Sequence, residues 1–67
     1  MRLGMAVRAR RKAIGISQES LAMISGVERS NMGKIERGEN NLSVLNLVRI
    51  AVALECAAAD LLASANL

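Results

Sequence analysis

An all-α fold of five short helices follows from three features of these 67 residues. Apolar residues make up 52% of the chain, with no aromatic side chain and no proline. They recur three and four positions apart, which is helical spacing. Glycines 15, 26 and 38 and serines 17 and 43 stand at the breaks between these runs, where helices are closed and opened.

The first helix takes its apolar stripe from Leu3, Ala6, Val7 and Ile14 and carries the basic run Arg8 to Lys12. Gly15 ends it, because glycine enters the left-handed conformation without steric cost. Ser17 caps the second helix, and Glu19 sits in its first turn, where negative charge suits the helix dipole. Leu21, Ala22, Ile24 and Ser25 complete that helix before Gly26. The third runs from about Arg29 to Arg37, with Val27, Met32 and Ile35 anchoring it to the core and Gly38 stopping it. After the polar loop Glu39-Asn40-Asn41, Ser43 caps a fourth helix reaching Leu54, with an apolar stripe at 44, 47, 48, 51 and 54. A fifth, about Ala58 to Ala65, carries Leu61 and Leu62.

Sixty-seven residues make one domain, 1–67, near the lower size limit for folding without a staple. One cysteine and no histidine leave no internal disulfide and no zinc cluster, so no metal and no cofactor is expected. No apolar run approaches the roughly 18 residues of a membrane span, and the basic N-terminus lacks a signal-peptide apolar stretch. The chain therefore reads as cytoplasmic, with no membrane partner. Residues 1–37 carry eight Lys/Arg against Glu19, Glu28 and Glu36, a net of 8 − 3 = +5. Residues 38–67 carry Arg49 against Glu39, Glu55 and Asp60, a net of 1 − 3 = −2. Such asymmetry suits either one face for a polyanion and another for a different contact, or a solvated surface.

Within residues 17–38, Ala22 lies four residues before Gly26 and Ile35 nine after it. A small residue at the crossing and a glycine in the turn let two helices pack tightly and push the second outward. That is the geometry needed to fit a helix into the DNA major groove. Arg29, Ser30, Gly33, Lys34 and Arg37 are left on its outer face.

The motifs Arg8-Ala9-Arg10-Arg11, Gly15-Ile16-Ser17-Gln18-Glu19, Leu21-Ala22, Ser25-Gly26-Val27, Ile35-Glu36-Arg37-Gly38 and Asn41 through Leu54 occur in order. Together they resemble the lambda-repressor-like (Cro/cI-type, XRE) helix-turn-helix family over about nine tenths of the chain. The short length is similar to that of autoregulatory members such as restriction–modification controller proteins.

The resemblance implies a helix-turn-helix formed by helices 2 and 3, and double-stranded DNA as partner. It assigns base reading to Arg29, Ser30 and Lys34, with Asn31 a weaker member that could face the backbone instead; for Arg29 and Lys34 a solvated helix face is the alternative. Arginine donates two hydrogen bonds to guanine O6 and N7, and serine reads a base or binds phosphate. Gln18 matches the family's phosphate contact at a helix N-terminus, and Arg37, Asn40 and Asn41 continue the phosphate track. For Asn40 and Asn41 ordinary turn chemistry is the equal alternative. Arg11 and Glu36 match an ion pair joining the first and third helices, expected here to be partly buried. Gly33, inside the recognition helix, suits either close approach to DNA or a tolerant position.

Three departures from the family pattern stand out. Glu28 replaces the usual Ser or Thr at the recognition-helix N-cap; its carboxylate suits the dipole, repels phosphate and can accept a hydrogen bond from cytosine N4. Glu55 and Ala57 replace a glycine turn and a serine cap, so the fourth helix is expected to run on or to end less sharply, and the fifth to start late. Leu45 and Val52 are apolar where the family is polar, and seven residues apart they share one helix face. Extended by Cys56 and joined by Leu61, Leu62 or Leu67, they predict a dimer interface on helices 4–5, about residues 43–65; scattered surface leucines are the alternative.

The expected function is a transcriptional regulator: a homodimer on a palindromic operator, repressing or activating by occupancy. A chain this short leaves no room for a ligand-sensing domain, so no small-molecule substrate is expected, and regulation falls to concentration, cooperativity or a protein partner. An antitoxin holding a toxin on its second face, or a protein–protein adaptor of the same fold that reads no DNA, is the alternative. With no histidine, glycine-rich phosphate loop or acidic cluster, and no basic partner for Cys56, the chain is not read as an enzyme.

Overall fold

The computed structural model describes residues 2–39 and 42–66. The helices, in order, are α1 (Arg2–Ala13), α2 (Gln18–Ser25), α3 (Arg29–Glu36), α4 (Val44–Ala53) and α5 (Ala58–Ser64). No strand occurs among the described residues, so the fold is all-α as its sequence pattern requires.

Local chemistry sets the helix ends. The Ser17 hydroxyl accepts the Ser20 N–H at 3.0 Å, and Ser43 accepts that of Asn46 at 3.1 Å. Each such cap is worth about 1 kcal/mol. Gly26 closes α2 at φ 76° and returns its N–H to the Ala22 carbonyl at 3.0 Å. Ser25 braces the same turn: its hydroxyl donates to Ala22 O and accepts the N–H of Val27, both at 3.3 Å. That two-sided bond fixes the angle at which α3 leaves α2.

The buried side chains form one cluster, to which every helix contributes. Val7, Leu21, Met32, Ile35, Ile50, Leu54 and Leu61 are its fully buried members. Each contributes about 1.5–3 kcal/mol relative to exposure. Helices α1 and α3 approach through Gly4, where an added Cβ would stand 1.9 Å from the Ile35 carbonyl oxygen. Any larger residue there would push the last turn of α3 away from α1. An isolated glycine inside a helical pattern is the sequence signal for this contact.

Two expectations need correction. Val44 and Val48 do not join the core stripe of α4; they are 78% and 47% exposed, and the buried positions are Ile50, Ala51 and Leu54. The segment Val44 to Leu54 is apolar at nearly every position, so periodicity alone singles out no face; packing against α2 and α5 does. Nor does α4 end loosely. Glu55 takes the left-handed conformation at φ 58°, doing what glycine would do, and α5 starts at Ala58. Asp60 assists by accepting the Ala57 N–H at 3.0 Å, although alanine offers no capping oxygen in return.

Candidate nucleic-acid interface

The outer face of α3 is built by the crossing beneath it. Met32 and Ile35 are drawn into the core at 0% and 1% exposure, which turns Arg29, Ser30, Lys34 and Arg37 outward. With Gln18 and Gly33 these four residues line one shallow groove. Arg29 and Lys34 are exposed and make no ion pair among the described residues, so their charge is available to a ligand. Asn31 lies half-buried at the edge.

Gly33 differs from its expected place on the outer face. It is buried, because the Arg37 guanidinium and the Gln18 amide close over it. A Cβ added there would lie 3.1 Å from Arg37 Nη1 and 3.5 Å from Gln18 Oε1. Gln18 thus spans α2 and α3, and its Nε2 donates to Glu36 Oε1 at 3.3 Å.

Glu36 is tied more firmly by Arg11. Arg11 Nε donates to Oε2 at 2.9 Å and Nη2 donates to Oε1 at 3.0 Å, while Nη1 donates to the Ile16 carbonyl at 3.0 Å. The two side chains are only 11% and 1% exposed. This fork joins α1, the loop before α2 and the end of α3, tying the recognition helix to the other two.

At the start of α3 the Ser30 hydroxyl donates to Glu28 Oε1 at 2.8 Å, so its proton is engaged within the chain. At the other end Arg37 pairs with Glu39. That hydrogen bond is the main cause holding the Glu39 carboxyl below its ordinary range, aided by the Arg37 and Lys34 charges. The same bond raises the Arg37 guanidinium. Glu39 is a partner that residue spacing did not reveal, being set by the turn at Gly38. Asn40 and Asn41, expected phosphate contacts, lie outside the described residues.

On the opposite half, Leu45 and Val52 are 59% and 72% exposed. Val44 and Val48 share their face, at three- and four-residue steps, making a strip of four exposed apolar residues. Leu61 is withdrawn from the expected interface: it is 2% exposed, inside the chain's own core, where α5 must anchor. Cys56 and Leu62 are half-buried against that core. Among the described residues no His/Cys/Asp/Glu group could hold a metal ion, and no helix is long and apolar enough to cross a membrane.

Such a groove-sized helix with a cationic outer face, set on an all-α core, defines the class of DNA-binding regulators. The chain belongs to the lambda-repressor-like helix-turn-helix family, whose Helix-turn-helix profile matches residues 7–61. It is 41% identical over 56 residues to the control protein C.SmaI of Serratia marcescens, covering 84% of this chain and 67% of that protein. Its fold matches the restriction–modification controller protein C.AhdI of Aeromonas hydrophila with a TM-score of 0.87 and 42% identity, over 90% of this chain and 91% of that one. The clp gene regulator ClgR of C. glutamicum superposes with a TM-score of 0.93 and 32% identity, over 97% and 84% of the two chains. The DNA-binding domain of the P22 c2 repressor does so at 0.85 and 35%, over 90% and 79%. These relatives place the chain among DNA-binding transcriptional regulators, which are not enzymes.

Proposed function

We propose that the chain acts as a homodimer on a palindromic operator, as a regulator of the restriction–modification controller type. The observation that carries the reading is the groove on α3, where Arg29 and Lys34 stand exposed and unpaired among the described residues beside Gln18 and Arg37. In this reading Arg29 and Lys34 read base edges, while Gln18 and Arg37 hold phosphates. The apolar strip Val44, Leu45, Val48 and Val52 supports self-association, because it lies on the acidic half, which DNA would repel. Two copies joined there would offer two recognition helices for half-sites about one DNA turn, roughly 34 Å, apart.

Selection of bound fragments from genomic DNA, with sedimentation at micromolar concentration, tests this. The expected outcome is an inverted repeat, a dimer mass, and affinity falling steeply with salt as phosphates are neutralised. Val52→Glu should yield a monomer that keeps its helices and binds one half-site weakly. A wild-type monomer that enriches unpaired half-sites would remove the dimer; enrichment of no sequence would remove operator reading.

A further inference from the structure

Glu28 occupies the N-cap of α3 without capping it. Its backbone is extended at φ −60° and ψ 138°, yet its side chain makes no bond to the N–H groups of the first turn. Instead Oε1 accepts the Ser30 hydroxyl at 2.8 Å, and the residue is exposed. That bond ties the carboxylate to Ser30, on the outer face that also carries Arg29. No cation pairs with it among the described residues.

An unpaired carboxylate at the leading end of a recognition helix repels phosphate, so it weakens attachment to DNA of every sequence. It helps binding only where it meets a donor on a base edge. The major groove offers two such donors, cytosine N4–H₂ and adenine N6–H₂. Adenine sets its N7 acceptor beside N6, where it would face a carboxylate oxygen, whereas cytosine has a C–H at the corresponding edge.

We infer that Glu28 is a base-reading residue selecting cytosine through its N4 amino group, with Ser30 as its positioning residue. This rests on the DNA-reading function proposed above and adds the base it selects at the start of α3. The Ser30 proton is held by Oε1, which leaves Oε2 to accept from the base. Arg29, next in sequence, takes a guanine at a neighbouring base pair, so the start of α3 selects a G/C-containing step.

The test compares sequences enriched from a randomised duplex library by wild type, Glu28→Ala, Glu28→Gln and Ser30→Ala, each checked for native helicity by circular dichroism. Wild type should favour cytosine at one position per half-site. Glu28→Ala should lower that preference by roughly 5- to 100-fold, the usual cost of a wrong base pair, and tighten binding to random duplex. Glu28→Gln should shift the preference to adenine, whose N6 and N7 suit an amide. Ser30→Ala keeps the Glu28 charge but frees Oε1; it should weaken the cytosine preference. Unaltered preferences at every position in Glu28→Ala would overturn the assignment of Glu28 alone. An unaltered cytosine preference in Ser30→Ala would overturn the positioning role. Failure of wild type to enrich any sequence would bring down DNA reading itself, and this assignment with it.

Discussion

Replacing Arg11 by methionine should remove much of the stability of this domain. In the native state Glu36 is 1% exposed at its side chain and takes two hydrogen bonds from the Arg11 fork, at 2.9 and 3.0 Å. Without Arg11 the buried carboxylate keeps the Gln18 amide, at 3.3 Å, as its one side-chain hydrogen bond shown among the described residues. A charge stranded in this way costs about 3–5 kcal/mol. Marginal stability of about 0.05–0.15 kcal/mol per residue gives a chain of this size only about 3–10 kcal/mol in total. The melting temperature should therefore fall by at least about 12 °C, at about 4–8 °C per kcal/mol. Glu36→Met should cost less, because Arg11, at 11% exposure and still bonded to the Ile16 carbonyl at 3.0 Å, can turn to solvent. The double variant fills the space with apolar atoms and strands no charge, so it should be more stable than Arg11→Met. Urea unfolding of all four proteins gives the coupling energy, expected at about 2 kcal/mol or more. A coupling below about 0.5 kcal/mol would show the pair to be a surface contact in effect and refute the reasoning.

Gly4→Ala should destabilise by several kcal/mol in thermal unfolding despite better helix propensity, because its Cβ would lie 1.9 Å from a backbone oxygen. Gly33→Ala should do the opposite: its Cβ meets the mobile end of Arg37 at 3.1 Å, so up to about 1 kcal/mol of propensity is recovered. Its added methyl in the groove should nevertheless weaken DNA binding. Glu55→Gly should stabilise by about 1 kcal/mol by relieving φ 58°, and Ala57→Ser by about 1 kcal/mol by supplying the missing cap, both read by urea titration. Glu39→Gln should tighten binding to random duplex, since it frees Arg37 from an exposed partner and removes a negative charge. Because the Glu39 pKa is lowered, the small stabilisation from that pair is complete above the ordinary carboxylate range. It is lost as pH falls through the lowered value, so Glu39→Gln should make the acid limb of the stability curve slightly shallower.

Helix number, order and most boundaries were legible in the sequence because they depend on local chemistry. Ser17, Gly26, Ser43 and Gly38 act through their own backbone or a neighbour three or four residues away. The outward set Arg29, Ser30, Lys34 and Arg37 was legible for a similar reason, since Met32 and Ile35 settle which side of a short helix is buried. Tertiary packing decided what local pattern leaves degenerate. It chose one face of an almost wholly apolar α4, exposing Val44 and Val48 while burying Ile50, and took Leu61 into the core. It brought Gly4 against Ile35 and laid Arg37 and Gln18 over Gly33. Turn and cap energies are set within a few residues of chain, whereas burial is set by which distant surfaces meet, and that information exists only once the helices have crossed.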